Sequence, residues 1–188
     1  MYRGILIIFF LFASNIFSQN LSFFKEKIEM TIQSDSTFII NGKYYFQNKN
    51  DKKNISSFYY PFVINDNYEY PDSILILDNN KIPVTYKKGK SGIYFTIRTG
   101  GKDTSVFQST YRQKTLTRRA EYILTTTQNW NVPLQKAEYI VKLPNSLFLK
   151  SISLQPDSVK SSSSNKTYFI TKENFMPVVN LIVKWGKE

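Results

Sequence analysis

Along most of the chain apolar and polar residues alternate with a period of two, the pattern of a strand whose successive side chains point to opposite faces of a sheet. Over Phe24 to Ile32 it places Ile28, Met30 and Ile32 on one face, with Lys27, Glu29 and Thr31 on the other. Phe38, Ile40, Gly42, Tyr44 and Phe46 share a face of a second run. Ile55 to Ile64 reads as a third strand; its Pro61 cannot donate to a ladder and marks a bulge or an edge. Ser73 to Leu77 pairs with Pro83 to Lys87 across the turn Asp78-Asn79-Asn80-Lys81. Ile93, Phe95 and Ile97 line the next strand, and Phe107, Ser109 and Tyr111 the one after it, with glycine turns at Gly89 to Gly92 and at Gly100-Gly101. No stretch repeats every 3.6 residues. Lys114 to Glu121 has room for one helical turn, and Tyr122 to Thr127 returns to strand composition.

The stretch Thr125 to Pro144 organises the second half. Ala120, Tyr122 and Leu124 share a face before it, and Ala137, Tyr139, Val141 and Leu143 share a face within it, opposite Lys136, Glu138 and Lys142. Between them lies a polar turn with Asn129, Asn131 and Pro133, residues that tolerate unusual dihedrals or fix φ. Trp130 is its large apolar residue. As a lid it closes the open end of the core and keeps its indole N–H near water. As an exposed platform it meets a sugar ring or a partner. Large aromatics are mostly buried, which favours the lid.

Short strands with turn signals at close intervals predict an all-β fold, an immunoglobulin-like β-sandwich. The halves also resemble each other. Ser73 to Leu77 matches Ser151 to Leu154, and Tyr94 to Ile97 matches Thr167 to Ile170. The expectation is two tandem sandwich units, 20–114 and 115–188, each small for independent stability. Residues 1–19 have the layout of a secretory signal peptide: Arg3 first, an apolar run from Ile5 to Ala13, and small Ser18 near the end. That run is short for a bilayer, which takes about 20 residues. No second hydrophobic segment follows, so the mature chain is expected to have no transmembrane segment and to be secreted or periplasmic in a bacterium.

The chain has 188 residues, 41% of them apolar and 16% aromatic, with no Cys and no His. A Ser-His-Asp triad, a Cys nucleophile and imidazole or thiolate metal sites are thereby excluded. No cofactor is implied. The formal net charge is +11; Arg3 is the one charge in the expected leader, so the mature chain carries 11 − 1 = +10. The lysines are spread over turns and strand exteriors, which reads as a solvated basic surface, and export removes nucleic acid from the expected partners.

Candidate sites are few. Asp66, Glu69 and Asp72 gather three carboxylates in one loop, weak candidates for Ca²⁺, which takes six to eight oxygens. Asp66 with Glu69 is the best pair for a glycoside hydrolase, which needs two carboxyls about 5 to 10 Å apart. Ser163 and Lys166 have Ser-x-x-Lys spacing inside a serine-rich turn, a chance match. Tyr59, Tyr60, Tyr68 and Tyr70, close to Lys49, Lys52 and Lys53, are candidates for stacking on an acidic glycan; alternation allows only some to face outward.

The run AEYILTTTQNWNVPLQKAEYIVKLP with ENFMPVVNLIVKW resembles a group of uncharacterised exported bacterial all-β domains. The shared features are Tyr122, Thr125 to Thr127, Trp130, Pro133 and a closing strand introduced by Asn174-Phe175-Met176-Pro177. The resemblance covers about the last 80 residues and implies export and an all-β fold, with no catalytic residues to carry over. The function expected is non-catalytic binding or scaffolding in the cell envelope, with an envelope protein or polysaccharide as partner. A carbohydrate or anionic-polymer binding module is the alternative, and a carboxylate-dependent glycoside hydrolase the third reading.

Overall fold

Alternation builds almost everything in the computed structural model, which describes residues 21–187. The expected signal peptide, residues 1–19, lies outside the described residues. The strands are β1 (Leu21–Ile32), β2 (Thr37–Asn48), β3 (Asn54–Pro61), β4 (Ser73–Leu77), β5 (Tyr86–Lys88), β6 (Gly92–Thr99) and β7 (Thr104–Lys114) in the first half. The second half contributes β8 (Arg119–Tyr122), a 3₁₀ turn (Thr125–Trp130), β9 (Leu134–Pro144), β10 (Leu147–Ile152), β11 (Ser158–Ser161), β12 (Asn165–Phe175) and β13 (Leu181–Lys187). The fold is all-β, and no helix among the described residues is long and apolar enough to cross a membrane.

One seven-stranded sheet runs β11-β12-β9-β1-β2-β7-β4, and two three-stranded sheets run β3-β6-β5 and β10-β13-β8. The pairing order β2-β7-β4 with β3-β6-β5 in the first half is matched by β8-β13-β10 with β9-β12-β11 in the second. β1 stands outside this correspondence. It pairs antiparallel with β2 and parallel with β9, so it joins strands of both halves into one sheet.

The inward faces are the ones alternation marks. Ile28, Met30, Phe38, Ile40, Tyr139, Val141 and Leu143 are fully buried. Aromatic contacts tie the small sheet β3-β6-β5 to the large one: Phe46 meets Phe58 with ring centroids 5.0 Å apart, and Phe95 meets Phe107 at 5.2 Å. Edge-to-face pairs of this kind add to the area they bury. Outward faces carry half-buried ion pairs such as Lys142–Glu29 at 2.8 Å between β9 and β1.

Four local expectations are corrected. The expected pairing of Ser73–Leu77 with Pro83–Lys87 shrinks to the Leu77–Pro83 bridge and the bond from Val84 N–H to Ile76 O, because β4 pairs with β7 and β5 with β6. Strand composition over Tyr122 to Thr127 holds only at Tyr122, the end of β8, and yields to a 3₁₀ turn from Thr125, because Asn180 Oδ1 accepts the N–H groups of Leu124 (3.1 Å) and Thr125 (3.3 Å) and the Thr125 hydroxyl (3.1 Å). The helical turn over Lys114 to Glu121 does not form; Thr115 Oγ1 donates to Thr117 O at 2.8 Å, and the chain straightens into β8. The third strand stops at Pro61, after which Phe62 N–H donates to Ser91 O at 2.8 Å.

Candidate functional site

Where β1, β2, β3, β7, β8 and β9 meet, the core is polar. Tyr44 Oη lies 2.7 Å from Tyr60 Oη, 2.7 Å from Tyr122 Oη and 3.3 Å from Ser109 Oγ, and Ser109 Oγ donates to Tyr60 Oη at 3.1 Å. Four hydroxyls and four contacts give every O–H an acceptor, so the group is satisfied without water. Gly42 makes it possible: a Cβ there would overlap the Tyr44 ring, which folds back along β2 over the bare glycine. Burial pushes Tyr44 and Tyr122 well above the usual phenol range, so all remain neutral donors. Beside them Glu26 is 2% exposed and accepts from Tyr139 Oη at 2.6 Å. Burial raises its pKa to about 7, and the Tyr139 hydrogen bond opposes the shift. Burial, and after it the same carboxyl, push Tyr139 upward. This cluster is sealed from solvent and holds the two halves together.

A β-bulge between Phe23 and Lys25 keeps both Phe23 and Glu26 on the inner face of β1. Glu26 was legible in principle: it shares parity with Ile28, Met30 and Ile32.

The accessible chemistry lies on the other side of β3-β6-β5. Tyr59 and Tyr94 project from its outer face, 44% and 53% exposed, with ring centroids 4.8 Å apart. Tyr59 Oη is 2.9 Å from Ser91 Oγ, which fixes its ring. Lys87 of β5 is in register with Tyr94, and Ile55 with Arg98. Beside this face opens a cavity of about 1020 Å³, lined by the segment Asp78 to Lys87, by β6 from Tyr94 to Arg98, and by Gly100, Asp103 and Ser105. Arg98 also lines a second cavity of about 410 Å³ with Lys53, Ile55 and Thr99. It forms no side-chain ion pair among the described residues, so its charge is available to a ligand.

The nominated residues fall in different places. Only Tyr59 presents much of its ring to solvent. Tyr60 and Tyr68 are buried, 8% and 2% exposed, which removes both as stacking surfaces; Tyr60 belongs to the hydroxyl cluster and Tyr68 meets Phe38 edge-on. Tyr70 is half-buried, donating to Gly92 O at 2.9 Å with Lys88 over its ring. Trp130 is half-buried against Phe46, Phe23 and Phe58 at 5.3, 5.9 and 6.3 Å. The three carboxylates do not converge: Glu69 pairs with Lys114 at 3.1 Å and Asp72 with Arg112 at 2.6 Å, while no trio of His, Cys, Asp or Glu gathers among the described residues. Ser163 and Lys166 sit at the exposed β11–β12 turn. Tyr94 was not foreseen; its signal was its parity opposite Phe95 and Ile93.

No protein-family model matches the chain, and no curated protein matches it. Among solved structures, a candidate nutrient binding protein from Legionella pneumophila is similar at a TM-score of 0.71 and 16% identity, over 88% of this chain and 67% of its own. An M1 zinc metallopeptidase from Deinococcus radiodurans is similar at 0.57 and 12% identity, over 88% of this chain and 42% of its own. At these identities what is shared is the fold. The chain spans about two thirds of the first protein and under half of the second.

Proposed function

We propose that this protein is an exported, non-catalytic binding protein of the bacterial cell envelope, built as two immunoglobulin-like sandwich repeats. The observation that carries the reading is the open cavity of about 1020 Å³ beside β6, with unpaired Arg98 on its rim and the Tyr59–Tyr94 pair on the adjoining face. An accessible cavity with a few polar groups beside an exposed aromatic surface suits recognition. The matched pairing orders of the two halves support the repeat. The leader layout of residues 1–19 and the resemblance to exported all-β domains support export. The likeness to a candidate nutrient binding protein is consistent with a binding role.

A carbohydrate ligand is the second reading, favoured by one observation: two tyrosine rings 4.8 Å apart on a sheet face, beside the hydroxyls of Ser57, Ser91 and Thr96. The test is retention of solubilised envelope polysaccharide and protein on the immobilised mature chain, eluted with rising salt. A retained component supports binding. Polysaccharide lost from Tyr59→Ala/Tyr94→Ala but kept by the parent supports the glycan reading. Retention of neither polysaccharide nor protein contradicts both.

A further inference from the structure

The first half leaves a strand position empty that the second half fills with its own chain. Ser161 pairs with Lys166 at the β11–β12 turn as Lys88 pairs with Ile93 at the β5–β6 turn. The turns close alike: Ser162 N–H donates to Asn165 O and Gly89 N–H to Gly92 O, both at 2.8 Å. Counting outward from these pairs, Phe169 corresponds to Thr96, Thr171 to Arg98, and Asp157 to Val84.

In the second half Asp157 covers the edge beyond β11. Its N–H donates to Phe169 O at 2.8 Å, and its Oδ2 accepts the N–H of Thr171 at 2.5 Å. In the first half the counterpart residue turns away, and Val84 N–H donates to Ile76 O of β4 at 2.8 Å. β5 therefore ends at Tyr86. The Gly89–Gly92 bond fixes Gly92, Tyr94, Thr96 and Arg98 as the β6 residues whose main-chain groups point to the β5 side, since direction alternates along an antiparallel strand. Among the described residues, Thr96 O and Arg98 N–H have no partner, whereas Arg98 O accepts from Ser105 Oγ at 3.2 Å. These groups border the cavity of about 1020 Å³.

We infer that this groove binds an extended acidic segment of a partner protein, added antiparallel to β6 along Thr96 to Thr99. The inference rests on the binding reading above and names its ligand class. Strand addition supplies affinity through main-chain bonds and specificity through side chains. The occupant's N–H meets Thr96 O, and its carboxylate takes the Arg98 N–H, as Asp157 does one repeat later. Arg98 and Lys87 at the rim favour the acid.

The probe is a blocked synthetic peptide of the stretch that fills this position in the second half, Leu154 to Asp157, which carries one negative charge, added to the ¹⁵N-labelled mature chain. Expected are amide shifts confined to Thr96 to Thr99 and to the segment from Asp78 to Tyr86, with slowed exchange of the Arg98 amide. A peptide N-methylated at the aspartate loses the bond to Thr96 O and should bind about ten-fold more weakly, the loss of one hydrogen bond. Equal binding of the two peptides, no shifts up to the solubility limit, or shifts centred elsewhere would overturn the inference. So would the same shifts appearing without peptide as protein concentration rises, which would put a second copy in the groove. The two readings fail separately. Polysaccharide retained on the column with no peptide binding sinks the strand site and leaves the binding protein, whereas an empty column sinks the binding reading whatever the peptide does.

Discussion

Replacing Glu26 with Gln should stabilise the protein at alkaline pH and flatten its pH dependence between pH 5 and pH 8. Glu26 is fully enclosed by β1, β2 and β9 and has one hydrogen-bond donor, Tyr139. Tyr44, Tyr60 and Tyr122 are its other ionisable neighbours, and burial keeps all three neutral. Burial raises the carboxyl from 4.5 to about 7 in the folded chain. The folded state therefore holds the proton more tightly than the unfolded one. Between those two values it binds more protons than the unfolded chain, so stability falls as pH rises through the window and levels off above it. The gap corresponds to about 3 kcal/mol at most, at about 1.4 kcal/mol for each tenfold change in proton affinity. Gln keeps an oxygen for Tyr139 and carries no charge. For a domain of this size the gain above pH 7 amounts to about 6–12 °C in melting temperature. The assay is urea unfolding of both proteins at closely spaced pH, read as the difference between them. The difference should be near zero at pH 4.5 and grow to its full size by pH 8. A parallel pair of curves, or a variant less stable at pH 8, would refute a buried carboxyl that titrates near neutrality.

Three further outcomes are expected. Tyr44→Phe removes the hydroxyl shared by Tyr60, Tyr122 and Ser109 and should cost about 1–3 kcal/mol in urea unfolding, since buried partners are left unpaired. Trp130→Ala should cost about 2 kcal/mol, below the usual loss for a fully buried aromatic, and should remove the more solvent-sensitive part of the fluorescence because Trp185 is 2% exposed. Tyr59→Ala/Tyr94→Ala removes a half-exposed cross-strand pair and should cost about 1 kcal/mol, leaving the protein folded, so lost ligand retention with an intact unfolding transition reports contact and not unfolding.

Period-two alternation made the strands legible because a half-buried strand leaves its burial pattern in the sequence: Ala137, Tyr139, Val141 and Leu143 are all 0% exposed. Turn residues likewise marked the turn at Asp78, whose Oδ1 accepts from Asn80 and Ile82 N–H at 2.9 Å, but not that its two arms, β4 and β5, join different sheets. What alternation does not encode is pairing between distant segments. The parallel contact of β1 with β9 depends on two strands separated by more than a hundred residues, and neither carries a local sign of the other. The 3₁₀ turn at Thr125 is set by Asn180, again far along the chain. The candidate site was half legible. Tyr59 was nominated and is exposed, yet its neighbours by sequence, Tyr60 and Tyr68, point inward, and its neighbour in space is Tyr94 on another strand. The groove could not be read at all, because it arises from a missing strand segment.

The measurement that tests the account most directly is retention of envelope components on the immobilised mature chain, set beside the Arg98→Glu variant. Arg98 lines both cavities, is exposed, and holds no structural ion pair, so the charge reversal leaves the fold in place. A component held by the parent and at least about ten-fold less by the variant, with unfolding curves that coincide, is the predicted result; ten-fold is about 1.4 kcal/mol, within reach of one charge-assisted contact. Equal retention by the two proteins would move the binding surface away from β6 and contradict the account.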